Sequence, residues 1–476
     1  MKAGVRFRAG QVQPYTCALM ERRTVITGLG AVSAMGVGIG PLWEGLLAGR
    51  CGVRPIACLD PAGFDCRLAG EATEFAGAKD FVPKSYRKAV KVMARDTELA
   101  VAAAKLAVDD AGLVTRGTLP DDSAGPTTYP SARMGCQIGA GLIAAETDEL
   151  TTALATAQTV PGRVDLRAWG NAEGGSGAMN NLPPLWLLKY LPNMLACHVT
   201  IVHGAEGPSN TITCSEASGL LSIGESFRVM TRGDADLCFS GGAEAPINLM
   251  RLMRLTMAGR LASTGTSQDG AAIVRPYDAA APGQVLGEGG GILILEDLEH
   301  ARKRSARAYA EVVGSGAAHS GSTPGGWTDG GLNAEVDEGF MYAIQNALER
   351  AELEPGQIDA IVPHASGVPA MDRGEAGALR AVFGGRLAEI PLVTLTPAIG
   401  DCLASNGGLA VAVAALCLFH QKLPARIHGG ACPGDLQAGA APARDARLRH
   451  ILVATGSLGG QNAAVILRTL DHRSAN

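Results

Sequence analysis

One stretch of the sequence sets a thiol in a context that activates thiols. Ser209-Asn210-Thr211-Ile212-Thr213 reads as a β-strand, and Cys214-Ser215-Glu216-Ala217-Ser218 opens a helix of small residues. That puts Cys214 at a helix N-terminus, where partial positive charge favours the thiolate, a nucleophile for thioesters and esters. A buried structural thiol is the other reading of Cys214. Glu216 works against activation, because a carboxylate facing the thiol raises its pKa. A carbonyl under attack also needs a donor, and His364 stands out among the nine histidines. Ile361-Val362-Pro363-His364-Ala365-Ser366-Gly367 is a buried strand breaking into a loop, and such strand ends form the working crevice of an α/β sheet. The turn Leu458-Gly459-Gly460-Gln461-Asn462 offers a backbone donor for an oxyanion. Cys197, His198 and His203 read as flanking a strand, but their spacing fits no closed zinc pattern, so no metal site is expected.

The elements that must position these groups come in matching pairs. One apolar helix opens near Cys214 and runs to Arg232; another opens near Cys402 and runs through Ala410-Val411-Ala412-Val413-Ala414-Ala415-Leu416. Both are small and apolar enough to be buried on all sides. Strands ending in glycines follow each, at Leu237-Cys238-Phe239-Ser240-Gly241-Gly242 and Ile451-Leu452-Val453-Ala454-Thr455-Gly456. Lys91–Gly112 holds an Ala-rich helix stopped by Gly112. Two related α/β halves account for this pattern, with a small-residue cap over Asp121–Asn181. The opening Thr24-Val25-Ile26-Thr27-Gly28-Leu29-Gly30 is a strand entering a turn. It does not complete a dinucleotide fingerprint, since Ser33 fills the third glycine position.

Composition narrows the class. The 476 residues are 47% hydrophobic and only 18% charged, which supports a large core and excludes general disorder. A formal charge of −5 argues against a nucleic-acid partner. No apolar run reaches the length of a spanning helix, so no membrane span is expected. The 11 cysteines are scattered, with no Cys-x-x-Cys pair, and no secretory signal is legible; a reducing cytoplasm fits.

Taken in order, these segments resemble the β-ketoacyl synthase (condensing enzyme) family of the thiolase fold over about residues 22–470. The matches are Val25-Ile26-Thr27-Gly28-Leu29-Gly30, Gly207-Pro208-Ser209-Asn210-Thr211-Ile212-Thr213-Cys214, Gly241-Gly242-Ala243-Glu244, Arg275-Pro276-Tyr277-Asp278, Gly287-Glu288-Gly289, His364-Ala365-Ser366-Gly367 with Asp372 and Glu375, and Gly459-Gly460-Gln461-Asn462. The resemblance implies a five-layered αβαβα fold of two duplicated halves. Residues 1–21 would be an extension, 22–290 the half carrying Cys214, 291–470 the half carrying His364, and 471–476 a tail. It further implies that Cys214 accepts an acyl group from the phosphopantetheine arm of an acyl carrier protein, with no tightly bound cofactor. The backbone N–H groups of Cys214 and Leu458 would form the oxyanion hole, Leu458 standing where the family usually has phenylalanine. His364 takes the place of the first of two histidines that help decarboxylate a malonyl unit. Ser366, Val368, Gly459 and Gly460 would lie along the pantetheine arm, and Asp372, Glu375 and Glu288 would be structural. The family is dimeric, so a homodimer or a heterodimer with a homologous subunit is implied.

The second half of the site departs from the family's Lys-Ser-x-x-Gly-His. Read onto Pro397-Ala398-Ile399-Gly400-Asp401-Cys402, Pro397 takes the lysine's place and Cys402 the second histidine's. Neither side chain restores the lost function, and losing one oxyanion donor costs about 10²–10³ in rate. Asn406 is the nearest amide that could stand in. Three functions stay open: a condensing enzyme of fatty-acid or polyketide synthesis, a non-decarboxylating acyltransferase through Cys214, and a structural subunit resembling a chain-length factor beside an active synthase.

Overall fold

The computed structural model describes residues 22–120, 125–170, 177–321 and 335–470; the expected extension 1–21 and tail 471–476 lie outside them. The elements that build the site are, in chain order, β1 (Thr24–Ser33), α1 (Arg95–Asp110), β2 (Met134–Ala140), α2 (Met194–His203), β3 (Ser209–Ile212), α3 (Ser218–Thr231), β4 (Leu237–Glu244), β5 (Gly289–Asp297), β6 (Ala310–His319), α4 (Glu338–Ala351), β7 (Ala360–Val362), α5 (Pro369–Phe383), α6 (Asn406–His420), β8 (His450–Gly456) and β9 (Gln461–Arg468).

These strands lie in one ten-stranded sheet, in the order β7-β8-β9-β6-β1-β5-β4-β2-β3, with the short strand Gly36–Val37 beside β1. The duplication is visible in the pairing. In the first half β3, β2 and β4 are parallel neighbours, and β5 and then β1 follow antiparallel. In the second half Leu392, β7 and β8 are parallel neighbours, and β9 and then β6 follow antiparallel. Helices α1 and α2 cover the outer face of the first half, and α4 and α5 that of the second. Helices α3 and α6 pack between them. That is the five-layered αβαβα arrangement.

Three expectations need correction. A boundary at residue 290 falls inside β5, which belongs to the first half; the strand correspondence puts the seam in 304–309, between the helix Leu298–Lys303 and β6. Residues 197–203 are helical, within α2, rather than strand. The His198 ring bonds Tyr86 Oη at 2.7 Å and the His203 ring bonds Thr115 Oγ1 at 2.9 Å. Among the described residues no His, Cys, Asp and Glu group is placed to hold a metal. Finally, Leu403–His420 is long and apolar enough to cross a membrane, but it is mostly buried inside the protein. Its apolar character on every side reflects packing on α3, β5 and β8.

The central layer fits only because small residues let backbones touch. A Cβ on Gly407 would lie 2.2 Å from the Leu220 nitrogen, and one on Gly408 would lie 2.0 Å from the Gly291 carbonyl oxygen. A Cβ on Gly219 would meet the Ala404 carbonyl oxygen at 2.5 Å. The starts of α3 and α6 are thereby pressed against each other. Gly407→Ala therefore destabilises the protein by about 1–3 kcal/mol through overpacking, seen as a lowered thermal midpoint; an unchanged midpoint would contradict this contact.

Candidate functional site

Both central helices begin in the same way. After β3 the chain passes Cys214, takes a positive φ of 51° at Ser215, and makes one 3-10 turn, Ser215–Ala217, before α3. In the second half Cys402 is followed by Leu403 at φ 48°, the 3-10 turn Leu403–Ser405, and α6. The Cys214 N–H donates to Ser218 Oγ at 2.7 Å, and the Cys402 N–H to Asn406 Oδ1 at 2.9 Å, four residues on in each case. Left-handed backbone at a residue with a side chain costs about 1–2 kcal/mol. The packing of the central layer holds it in place twice.

The first elbow points Glu216, not Cys214, into the interior. Glu216 is 1% exposed. One carboxylate oxygen lies 2.9 Å from Nη1 of Arg260, itself 2% exposed, and the other accepts the Leu458 N–H at 3.3 Å. Burial by itself would push this carboxyl up, but the Arg260 guanidinium, helped by His364, holds it below the usual carboxylate range. A buried ion pair of this kind is worth little in net stability. Removing one partner, however, strands the other charge, at about 3–5 kcal/mol.

Cys214 is only half-buried, and burial pushes its thiol up rather than down. Against the activation expected at a helix end, burial raises this thiol, and the 3-10 turn Ser215–Ala217 separates Cys214 from α3. Both backbone donors expected for an oxyanion hole have partners within the protein. The Cys214 N–H is spent on Ser218 and the Leu458 N–H on Glu216.

His364 is where the sequence put it, at the end of β7. Its backbone N–H and that of Ala365 donate to the two oxygens of Glu375, each at 2.9 Å. Its ring Nε2 lies 3.3 Å from Asp401 Oδ2. Burial lowers the imidazole pKa, yet the charge and hydrogen bond of Asp401 outweigh burial and raise it to about 9. At neutral pH the ring is an imidazolium, a donor and not a base. Asp401 is itself held below its usual range despite burial, by His364 and by the Asn406 amide, which donates to Oδ1 at 2.7 Å.

Asp401 corrects the register of the second motif. With Gly400, at φ 77°, on the motif's glycine, Asp401 takes the second histidine's place and Thr396 the lysine's. Cys402 turns away, its Sγ 3.7 Å from the carbonyl oxygens of Ile399 and Gly400. Pro397 offers only its carbonyl, to Cys51 Sγ. Asn406 serves Asp401 and does not replace an imidazole. Of the residues expected along the pantetheine arm, Ser366 donates its hydroxyl to Asp372 at 2.9 Å, and Val368 is buried at the start of α5. Gly459 and Gly460 form the turn that brings the Leu458 N–H inward, with Gly460 at φ 84°. Asp372 holds the Tyr277 and Gly367 N–H groups, while Glu288 holds Arg95 by two 2.7 Å bonds. These acidic residues brace the loops. Arg260 and Asp401 escaped the sequence reading. A one-residue shift of the motif would have found Asp401, whereas nothing near Arg260 in the chain marked it.

The His364–Asp401 pair makes a pH prediction. The folded pKa of His364 lies above the ordinary 6.5, so its contribution to stability is complete below about pH 6.5 and fades as pH rises through about 9. Asp401→Asn removes the largest opposition to burial, leaving only the charges of Glu375 and Glu216 to raise the ring, and brings its midpoint down, which NMR titration of the imidazole reads. A midpoint unmoved by Asp401→Asn would contradict the pairing.

Comparison with known proteins agrees with this architecture. The model of the β-ketoacyl synthase N-terminal domain matches residues 21–301, and that of the C-terminal domain residues 309–429. The chain is 30% identical over 453 residues to 3-oxoacyl-[acyl-carrier-protein] synthase 2 of Staphylococcus aureus (strain N315), covering 95% of this chain and 99% of that protein. Among solved structures, the ishigamide ketosynthase/chain length factor superposes with a TM-score of 0.76 at 28% identity, over 95% of this chain and 100% of that one. A type II polyketide synthase ketosynthase solved with its acyl-carrier protein shares the fold, with a TM-score of 0.75 at 22% identity and the same coverage.

Proposed function

The chain belongs to the β-ketoacyl synthase family, and on that premise we propose that it works in 3-oxoacyl-[acyl-carrier-protein] formation in fatty-acid or polyketide synthesis. Its substrates are acyl groups on the phosphopantetheine arm of an acyl carrier protein, it needs no tightly bound cofactor, and its setting is the cytoplasm. The dimer is completed by a second ketosynthase-type subunit. What carries this reading is the site frame: His364 held as an imidazolium donor by Asp401, beside the elbow of α3 and the inward-turned Leu458 N–H. Such a donor stabilises negative charge developing on a thioester oxygen.

Two divisions of labour fit that reaction. In one, Cys214 takes the acyl group and passes it on, to a malonyl-derived carbanion or, without decarboxylation, to another acceptor. In the other, this chain shapes the acyl cavity like a chain-length factor while its homologous partner supplies the thiol. The Glu216–Arg260 pair favours the second. For Cys214 to react, Glu216 has to leave Leu458 and Ser218 has to release the Cys214 N–H.

Intact-protein mass spectrometry separates the two. The purified chain, wild type and Cys214→Ala, is incubated with acyl-carrier proteins of short and medium length, then with labelled malonyl-carrier protein. The chain alone is expected to gain no acyl mass and release no CO₂; co-purified with its partner, the partner gains the mass. An acyl adduct on the wild type that disappears in Cys214→Ala would give Cys214 the nucleophile's role, with CO₂ release distinguishing condensation from simple acyl transfer.

A further inference from the structure

At the end of the sheet far from His364, basic side chains gather around a cavity of about 470 Å³. Its walls include Arg23, Arg302, Arg449, His450 and Arg468, and no acidic residue lines it. In a chain of formal charge −5 this concentration runs against the composition. Strand register explains how it forms. His450 pairs with Arg468 across β8 and β9, Arg468 with Glu311 across β9 and β6, and Glu311 with Val25 across β6 and β1. The basic row therefore crosses the ends of four neighbouring strands, about 14 Å at the usual strand spacing. The seven residues of β8 separate it from the Leu458 turn, about 20 Å along the strand.

The row is held in place and still has donors to spare. Glu311, 3% exposed, is gripped from two sides. Arg23 donates Nε and Nη2 to it at 2.6 Å each, and Arg468 donates Nε at 3.2 Å and Nη2 at 2.8 Å. Among the described residues, Nη1 of both arginines has no hydrogen-bond partner, and the Arg449 guanidinium makes neither a hydrogen bond nor an ion pair. Arg302 gives only Nη1, to Glu299 at 2.9 Å. Glu311 and Glu299 thus offset two of the four arginine charges. Asp359 takes the backbone N–H groups of Arg449 and His450, at 2.6 and 2.9 Å, without lining the cavity. His450 Nδ1 lies 3.1 Å from the Gln357 carbonyl oxygen, which can only accept, so Nε2 is the ring atom left over. Burial and the charges of Arg468 and Arg449 hold this ring below its ordinary range, against the Gln357 carbonyl and Asp359.

We infer that this cavity binds a small molecule carrying two or more phosphates. Its volume is that of a small-molecule site. Guanidinium groups match phosphate oxygens in geometry and charge. One phosphate reaches only part of a row that spans four strand ends, whereas a diphosphate reaches both the Arg449 side and the Arg23 side. Leu353 and Leu470 give the cavity an apolar wall on which the base of a nucleotide can rest. No bond is made or broken, and no residue of the acyl site takes part, so the inference stands apart from the function proposed above.

Titration calorimetry on the full chain tests it, with pyrophosphate, ADP, inorganic phosphate and citrate as probes. At about 0.15 M salt, diffuse attraction is screened and site binding remains. Pyrophosphate and ADP are expected to bind roughly ten-fold or more tightly than phosphate or citrate, and to move the NMR resonances of the His450 ring. A tighter grip on ADP than on pyrophosphate assigns a nucleotide, and equal affinities assign the diphosphate alone. Arg449→Ala removes a guanidinium with no internal partner, so the thermal midpoint stays where it is while both affinities fall by roughly ten-fold. No binding of pyrophosphate or ADP overturns the site. Phosphate or citrate binding as tightly as pyrophosphate also overturns it, as does binding undiminished in Arg449→Ala.

Discussion

Two helix starts pressed together at the centre of the molecule set everything else. Gly219, Gly407 and Gly408 let backbone meet backbone where a single added methyl would collide. This contact fixes the elbows that precede α3 and α6, each with a left-handed residue that no isolated peptide would favour. The duplicated sheet supplies the strands that enter those elbows. The loops after β7 and β8 then bring His364 and the Leu458 N–H to the same place, braced by Glu375 and by the Ser457–Gln461 turn.

Within that frame, electrostatics decides what the site can do. Two buried acids, Glu216 and Asp401, face two buried cations, Arg260 and His364. Each acid is kept charged against its desolvation by a specific partner, and His364 is kept charged by Asp401. An imidazole held protonated at neutral pH can stabilise an anion but cannot take a proton from a thiol there. Cys214, outside this network, has only its burial acting on it, which opposes ionisation. The family's frame is thus retained, with a carboxylate–guanidinium pair, Glu216 and Arg260, set beside the His364 imidazolium at its centre.

Most of the frame was legible in the sequence. The paired helices, the glycine-ended strands, His364 and the Leu458 turn are local patterns, because periodicity and small-residue runs are written in consecutive residues. What was not legible depended on register and on three-dimensional partners. A one-residue slip in the second motif exchanged Asp401 for Cys402; setting Gly400 on the motif's glycine restores Asp401, and the position of its side chain against His364 shows that it faces the site. Glu216 was recognised as a perturbing charge, but its pairing with Arg260 spans 44 positions of chain and leaves no local trace. The seam between halves was misplaced for a similar reason: β5 looks like the opening of a new unit until its pairing with β4 and β1 is seen.

The central claim is that position 216, not position 214, is the one that faces His364 and the Leu458 N–H. Mass spectrometry on the double variant Cys214→Ala/Glu216→Cys, incubated with acyl-carrier protein, tests it most directly. The account predicts that this variant gains an acyl group mapped to position 216, while the wild type gains none. Acylation of the wild type at Cys214, with none in the double variant, would contradict it.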